Sequence, residues 1–181
     1  MNRIRPFLFV IGVLLGSIPW IALDPSPAFA LDSSLYQLTE DSQYIEGCFE
    51  PCMCPVFMTP SLSGSFLLNS LSQGADVSLF EIFAIDWEFV LWDETMNVTG
   101  SGIYEVGSGQ QQLILDLQVG DGPVQQFDSG LVTLQGEFPD ISIAVALNGF
   151  YCYDYVFSIA AAQEIVELSS PGWGTLKSYY R

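Results

Sequence analysis

Leu113-Ile114-Leu115-Asp116-Leu117-Gln118-Val119 is the stretch that decides the fold: its odd positions are all apolar, and two of its three even positions are polar. An apolar residue at every second position is what a strand with one buried face requires, because successive side chains point to opposite sides of a sheet. Ile141 to Leu147 repeats the pattern, with Ile141, Ile143, Val145 and Leu147 set against Ser142, Ala144 and Ala146. The stretch Phe83 to Leu91 puts Phe83, Ile85, Trp87, Phe89 and Leu91 on one face, and Ala84, Asp86, Glu88 and Val90 on the other.

Working outward, further strands are expected at 35–38, 62–68, 98–106, 124–127, 131–138 and 151–159. Asn148-Gly149 and Gly120-Asp121-Gly122-Pro123 mark tight antiparallel turns. About eight to ten short strands without a core helix predict an all-β fold, an antiparallel β-sandwich or barrel. A two-residue loop at Asn148-Gly149 would set Leu147 opposite Phe150, Val145 opposite Cys152 and Ile143 opposite Asp154. Cys152 would then lie on the aliphatic face, and Tyr151, Tyr153, Tyr155 and Phe157 would form a row on the other. A three-residue loop would reverse that parity.

The first 30 residues read as a secretory signal peptide: Arg3 and Arg5, an apolar run from Phe7 to Ile18, and a small-x-small exit ending at Ala30. The run is shorter than the roughly 20 residues of a membrane span, and Gly16, Ser17 and Pro19 break it. No later segment is long and apolar enough to span a membrane as a helix. A single β domain is expected over 31–162, with a tail over 163–181. Asp24 is the one acid, and Arg3 and Arg5 the two bases, in the leader. The remaining 151 residues therefore hold 20 acids and two bases, Lys177 and Arg181, a formal charge of −18. Such a field repels phosphate backbones and excludes nucleic acid as a partner, while cationic partners remain open. The high apolar and aromatic content argues against disorder.

Four cysteines in an exported chain, Cys48, Cys52, Cys54 and Cys152, read as a disulfide framework of a secreted or periplasmic protein. Cys52–Cys54 would close a ring across one residue, far from ordinary geometry. Cys48 is therefore expected to pair with Cys52 or Cys54, leaving the third for Cys152. The alternative is a thiolate metal site, which Cys-x-Cys suits less well than paired Cys-x-x-Cys units. The chain contains no histidine, which removes Ser-His-Asp and Cys-His nucleophile systems. With two cations left, phosphate clamps and Schiff-base chemistry are also disfavoured. Carboxylate-pair chemistry needs neither, but Asp86 and Glu88 on one strand read as a solvated face. No catalytic residue and no cofactor is assigned.

Asp121, Asp128 and Asp140 lie in turns where Ca²⁺ could bind, but no recognisable Ca²⁺ loop surrounds them and no metal site is assigned. Asn97-Val98-Thr99 is a glycosylation sequon. The candidate ligand-binding residues are Tyr151, Tyr153 and Tyr155, since aromatic rows in secreted β domains stack on sugars or line apolar pockets.

The segment Gly47-Cys48-Phe49-Glu50-Pro51-Cys52-Met53-Cys54-Pro55, followed by Gly64-Ser65-Phe66, resembles a group of secreted bacterial proteins. These share Gly-Cys-x-x-Pro-Cys-x-Cys-Pro before a Gly-x-Phe strand, and Gly100–Tyr104 and Phe127–Gly130 match them further. That resemblance implies no particular activity. The Tyr36-x-Leu38 opening, Ser42 and Gly64-x-Phe66 are also similar to YceI-like lipid-binding barrels, although that family's opening histidines are missing here. The chain is thus expected to bind an apolar or sugar-like ligand without catalysis. The alternatives are a cell-envelope interaction protein presenting its acidic surface to a cationic partner, and a thiolate metal-binding protein.

Overall fold

The structure, a computed structural model, describes residues 33–54 and 57–164. Eleven strand segments follow in chain order: β1 (Ser33–Leu38), β2 (Gln43–Cys48), β3 (Phe57–Met58), β4 (Leu62–Gln73), β5 (Val77–Leu91), β6 (Glu94–Gly107), β7 (Gln110–Val119), β8 (Val124–Asp128), β9 (Val132–Thr133), β10 (Ile141–Ala146) and β11 (Tyr153–Gln163). Every pairing is antiparallel, and β11 closes back onto β1. Along β11, β2 and β1 lie end to end; β3 and β4 lie end to end beside them. Taking each of those two pairs as one strand, and β9 as a spur on β7, leaves a ring of eight. Each strand of the ring neighbours the next in sequence, which is an up-and-down barrel. The fold is all-β, and it is the barrel rather than the sandwich.

The barrel is filled. Phe66, Trp87, Phe127, Phe157, Leu115, Leu117 and Val98 are fully buried in one core cluster. Glu81, Asp86, Glu88 and Asp116 stand exposed on the outer wall. An apolar inside with a charged outside is the reverse of a membrane barrel's pattern. No helix among the described residues is long and apolar enough to cross a membrane. The signal-peptide reading of residues 1–30 and nearly all of the expected tail lie outside the described residues.

The alternation in Leu113–Val119 and Ile141–Val145 is the alternation of the structure: the odd residues from Leu113 to Leu117 and from Ile141 to Val145 are buried. The face assigned from Phe83 onward is corrected at its start. Ile82, not Phe83, is buried, and the buried parity changes to Ile85, Trp87 and Phe89 after a bulge at Ala84, whose φ is +51°. The extra residue of a bulge inverts period-two reading downstream. Gly64 faces Trp87 across the β4–β5 pair. A Cβ there would lie 2.7 Å from the Trp87 Cα, and its φ of +129° is glycine territory.

The hairpin at Asn148-Gly149 is also corrected. Val145 pairs with Phe157 and Ile143 with Ile159, so the connection is a long loop rather than two residues. The buried Asp154 carboxylate builds that loop, accepting hydrogen bonds from the backbone N–H of Asn148 at 2.8 Å, Phe150 at 2.7 Å and Tyr155 at 2.8 Å. Cys152 therefore sits in the loop, not on the aliphatic face. Two further expectations change. Of 131–138, only Val132–Thr133 is strand, and β2, whose mixed Gln43–Cys48 pattern hides the alternation, was not anticipated.

The ring has one thin seam. β8 and β10 share a single register pair, Ala146 with Asp128. Beside it the buried Gln111 spans the gap, its Nε2 donating to the Ser142 carbonyl at 2.9 Å and its Oε1 accepting from the Tyr104 hydroxyl at 2.9 Å. A side chain thus replaces missing ladder bonds. Tyr104→Phe leaves the Gln111 carbonyl buried without its donor, and the expected loss is about 1–3 kcal/mol in urea unfolding. A loss under about 0.5 kcal/mol would show that the seam does not depend on this latch.

Candidate functional site

Because the middle of the barrel is filled, room for a ligand lies at its ends and along the seam. The far end, where β11 finishes, is covered by Phe138, whose ring lies 5.0 Å from Phe80 and 6.4 Å from Tyr104. A cavity of about 260 Å³ beneath it is lined by neutral hydroxyls and amides, including Ser34, Ser70 and Gln163, beside Tyr36 and Phe80. Along the seam a shallow groove of about 420 Å³ runs past Asp128, Ser129, Ala146 and Phe150.

The other end carries the disulfides and the aromatic rim. β2 pairs with β11 so that Tyr44 faces Phe157, Glu46 faces Tyr155, and Cys48 faces Tyr153. Alternate residues share a face, so Tyr153 and Tyr155 continue the inward face of the buried Phe157 out to the barrel mouth. Their rings meet edge to face at 5.7 Å. Tyr151 does not join them: it lies in the loop beyond the strand, 62% exposed. The row of three tyrosines is thus a pair, with Tyr44 as the third ring. Sequence reasoning missed Tyr44 because it missed β2; the aromatic two positions before Glu46 was the signal available.

A carboxylate sits among these rings. Glu46 accepts from the Tyr153 hydroxyl at 2.5 Å and from the Tyr44 hydroxyl at 3.3 Å, one on each oxygen. The bond to Glu46, with partial desolvation and the carboxylate's charge, pushes the Tyr153 hydroxyl up to about 12. Burial, and then the Glu46 charge, pushes Tyr44 far above the ordinary phenol value. Tyr44 stacks on Phe89 at 4.2 Å. Beside it a cavity of about 160 Å³ opens at the mouth, lined by Tyr44, Val119, Gln125, Phe127 and Tyr155.

The disulfides flank this rim. Cys48–Cys54 and Cys52–Cys152 have Cα separations of 5.6 and 4.8 Å, both within the usual range, and leave no free thiol. Cys48–Cys54 closes the 48–54 turn on itself and Cys52–Cys152 ties it to the Asp154 loop, where Phe49 N–H also donates to the Cys152 carbonyl at 2.9 Å. Two disulfides fit an oxidising compartment. Asp121 stands in the β7–β8 turn, Asp128 ends β8 and Asp140 precedes β10, and Asp128 Oδ1 accepts from Gln112 and from Gly130 N–H. Among the described residues no three carboxylates or thiols are grouped to hold a metal ion.

From Ser33 to Glu164 the sequence has no Lys, Arg or His, while all its acids except Asp24, Asp32 and Glu167 fall there, 18 in number. None of these carboxylates has an ion-pair partner within the barrel. Compared with known protein families, curated proteins and solved structures, the chain matches none.

Proposed function

We propose that this is an exported, non-catalytic binding barrel, which holds an apolar group of a small ligand in the pocket between Tyr44, Phe127 and Tyr155. The observation that carries this is the cavity at the barrel mouth, walled by aromatic rings, two of which stand on β2 and β11 next to the disulfide-tied turn and the Asp154 loop. The absence of histidine supports binding over catalysis, since it removes the Ser-His and Cys-His nucleophile systems. Export is supported by the amino-terminal pattern and the disulfides.

Saturation-transfer NMR with small apolar probes (tert-butanol, cyclohexanol and benzyl alcohol) tests the pocket. At least one probe is expected to receive saturation from the wild-type protein. Val119→Trp, which fills the cavity from its β7 wall, is expected to remove that signal with the fold intact. Equal signals from both proteins, or none from either, would overturn the pocket.

A second reading rests on the exposed carboxylates of the barrel, which have no ion-pair partner among the described residues: an envelope protein whose outer wall meets a cationic partner. Native mass spectrometry of protein from its own host separates the two. A small apolar ligand lost in Val119→Trp supports the pocket, and a basic partner retained in that variant supports the surface.

A further inference from the structure

We infer that the apolar surface presented to the rim pocket is the alkyl shell of a positively charged group, a small, fully alkylated ammonium headgroup. This rests on the pocket just proposed and specifies what enters it. Three of the five lining side chains are aromatic, Tyr44, Phe127 and Tyr155. Ring faces carry negative charge density and attract a cation, more strongly where water is excluded. The volume of about 160 Å³ is below the roughly 300 Å³ at which drug-sized pockets begin, and suits a headgroup rather than a whole ligand.

Glu46 adds the sign. It is the cross-strand partner of Tyr155, and the Tyr44 and Tyr153 hydroxyls hold its carboxylate in place. Those two bonds commit the Tyr44 and Tyr153 hydrogens to Glu46, so neither hydroxyl is free to donate to an anion or a sugar oxygen; of the phenols lining the pocket, the Tyr155 hydroxyl alone is not held by Glu46. What the two held phenols leave for a ligand is ring face and lone pair, beside a fixed negative charge. No cation between Ser33 and Glu164 competes for the place, and the field of the whole wall raises the local concentration of cationic ligands.

Full alkylation follows from the lining. A primary ammonium brings three N–H donors that need acceptors. The polar atoms of the lining are the Tyr44 and Tyr155 hydroxyls and the Gln125 amide, and each oxygen of Glu46 already takes a phenolic hydrogen, so three N–H donors outnumber the acceptors left for them. An ammonium without N–H has nothing to leave unsatisfied.

Choline and its neutral carbon counterpart, 3,3-dimethylbutan-1-ol, have nearly the same shape and differ in charge. Each is titrated into the disulfide-intact protein at constant ionic strength, with aromatic-ring NMR shifts as the readout. Choline is expected to shift the Phe127 and Tyr155 rings saturably, and the alcohol to bind at least tenfold more weakly. Tyr155→Leu, which keeps apolar bulk but removes the ring, is expected to lose the Phe127 response. Glu46→Gln is expected to weaken choline several-fold. Equal binding of the two compounds would overturn the charge and leave the pocket standing. A choline response that does not saturate, or survives Tyr155→Leu, would be diffuse screening and would overturn the inference. No ring shift from either compound would overturn it too, and the Val119→Trp comparison judges the pocket separately.

Discussion

Replacing Cys52 and Cys152 together by serine is expected to lower the stability of the barrel by about 4–5 kcal/mol, the loop-closure value for a 100-residue separation. Replacing Cys48 and Cys54 together is expected to cost about 2 kcal/mol, because the shorter loop removes less entropy from the unfolded chain. Paired substitution matters, since a single one would leave a lone thiol free to exchange. The long bond also holds the Asp154 loop against the 48–54 turn, so native-state strain and local order add to the entropy figure with either sign. Urea unfolding of the two double variants measures the difference, and mapping of unreduced peptides checks the pairing. If both double variants lost the same small amount, the long bond would not be the staple that its separation implies.

The barrel was legible in those strands where one face is buried without interruption. Leu113, Leu115 and Leu117 are completely enclosed, and their polar neighbours face outward, so period two survives from sequence to structure. It fails where the backbone adds residues that no side-chain pattern announces. The Ala84 bulge swaps Phe83 for Ile82 on the inner face, and the Asp154 loop turns an Asn-Gly turn signal into one part of a longer connection. A buried carboxylate taking three backbone N–H groups is a local arrangement, and spacing alone does not show it. The site was half legible for the same reason. Tyr153 and Tyr155 alternate within one strand, whereas Tyr44 and Glu46 reach them only through the β2–β11 pairing. Ser42 is a further case. Its hydroxyl donates to the Ala160 carbonyl at 2.8 Å and accepts from Ala160 N–H at 3.0 Å, carrying the ladder through the bend between β1 and β2. A serine between an acidic turn and a strand gives no sign of that work.

Alkali is expected to unfold this protein between about pH 10 and pH 12, and the tyrosines are the cause. Tyr36 is raised to about 12 by burial first and then by the charge of Asp140; Tyr104 is raised to about 12 by burial and then by Tyr36. Tyr44 is pushed higher still by burial and by Glu46. In the unfolded chain each phenol ionises near pH 10, so below that value both states keep the proton and the folded state holds its full stability. As pH rises from 10 toward 12, the unfolded chain releases protons that the barrel retains, and stability falls with each such group. Three buried rings acting together are expected to open a domain of ordinary marginal stability. The chain has eight tyrosines in all, so tyrosinate absorbance should rise in two stages. The first belongs to rings that ionise in the folded state, and the second coincides with loss of β-sheet circular dichroism. In denaturant the two stages should merge into one near pH 10. Glu46→Gln should move Tyr153 from the second stage toward the first, because its principal hydrogen-bond acceptor loses its charge. Should all eight ionise near pH 10 while the sheet signal persists, Tyr36, Tyr44 and Tyr104 could not be buried as described.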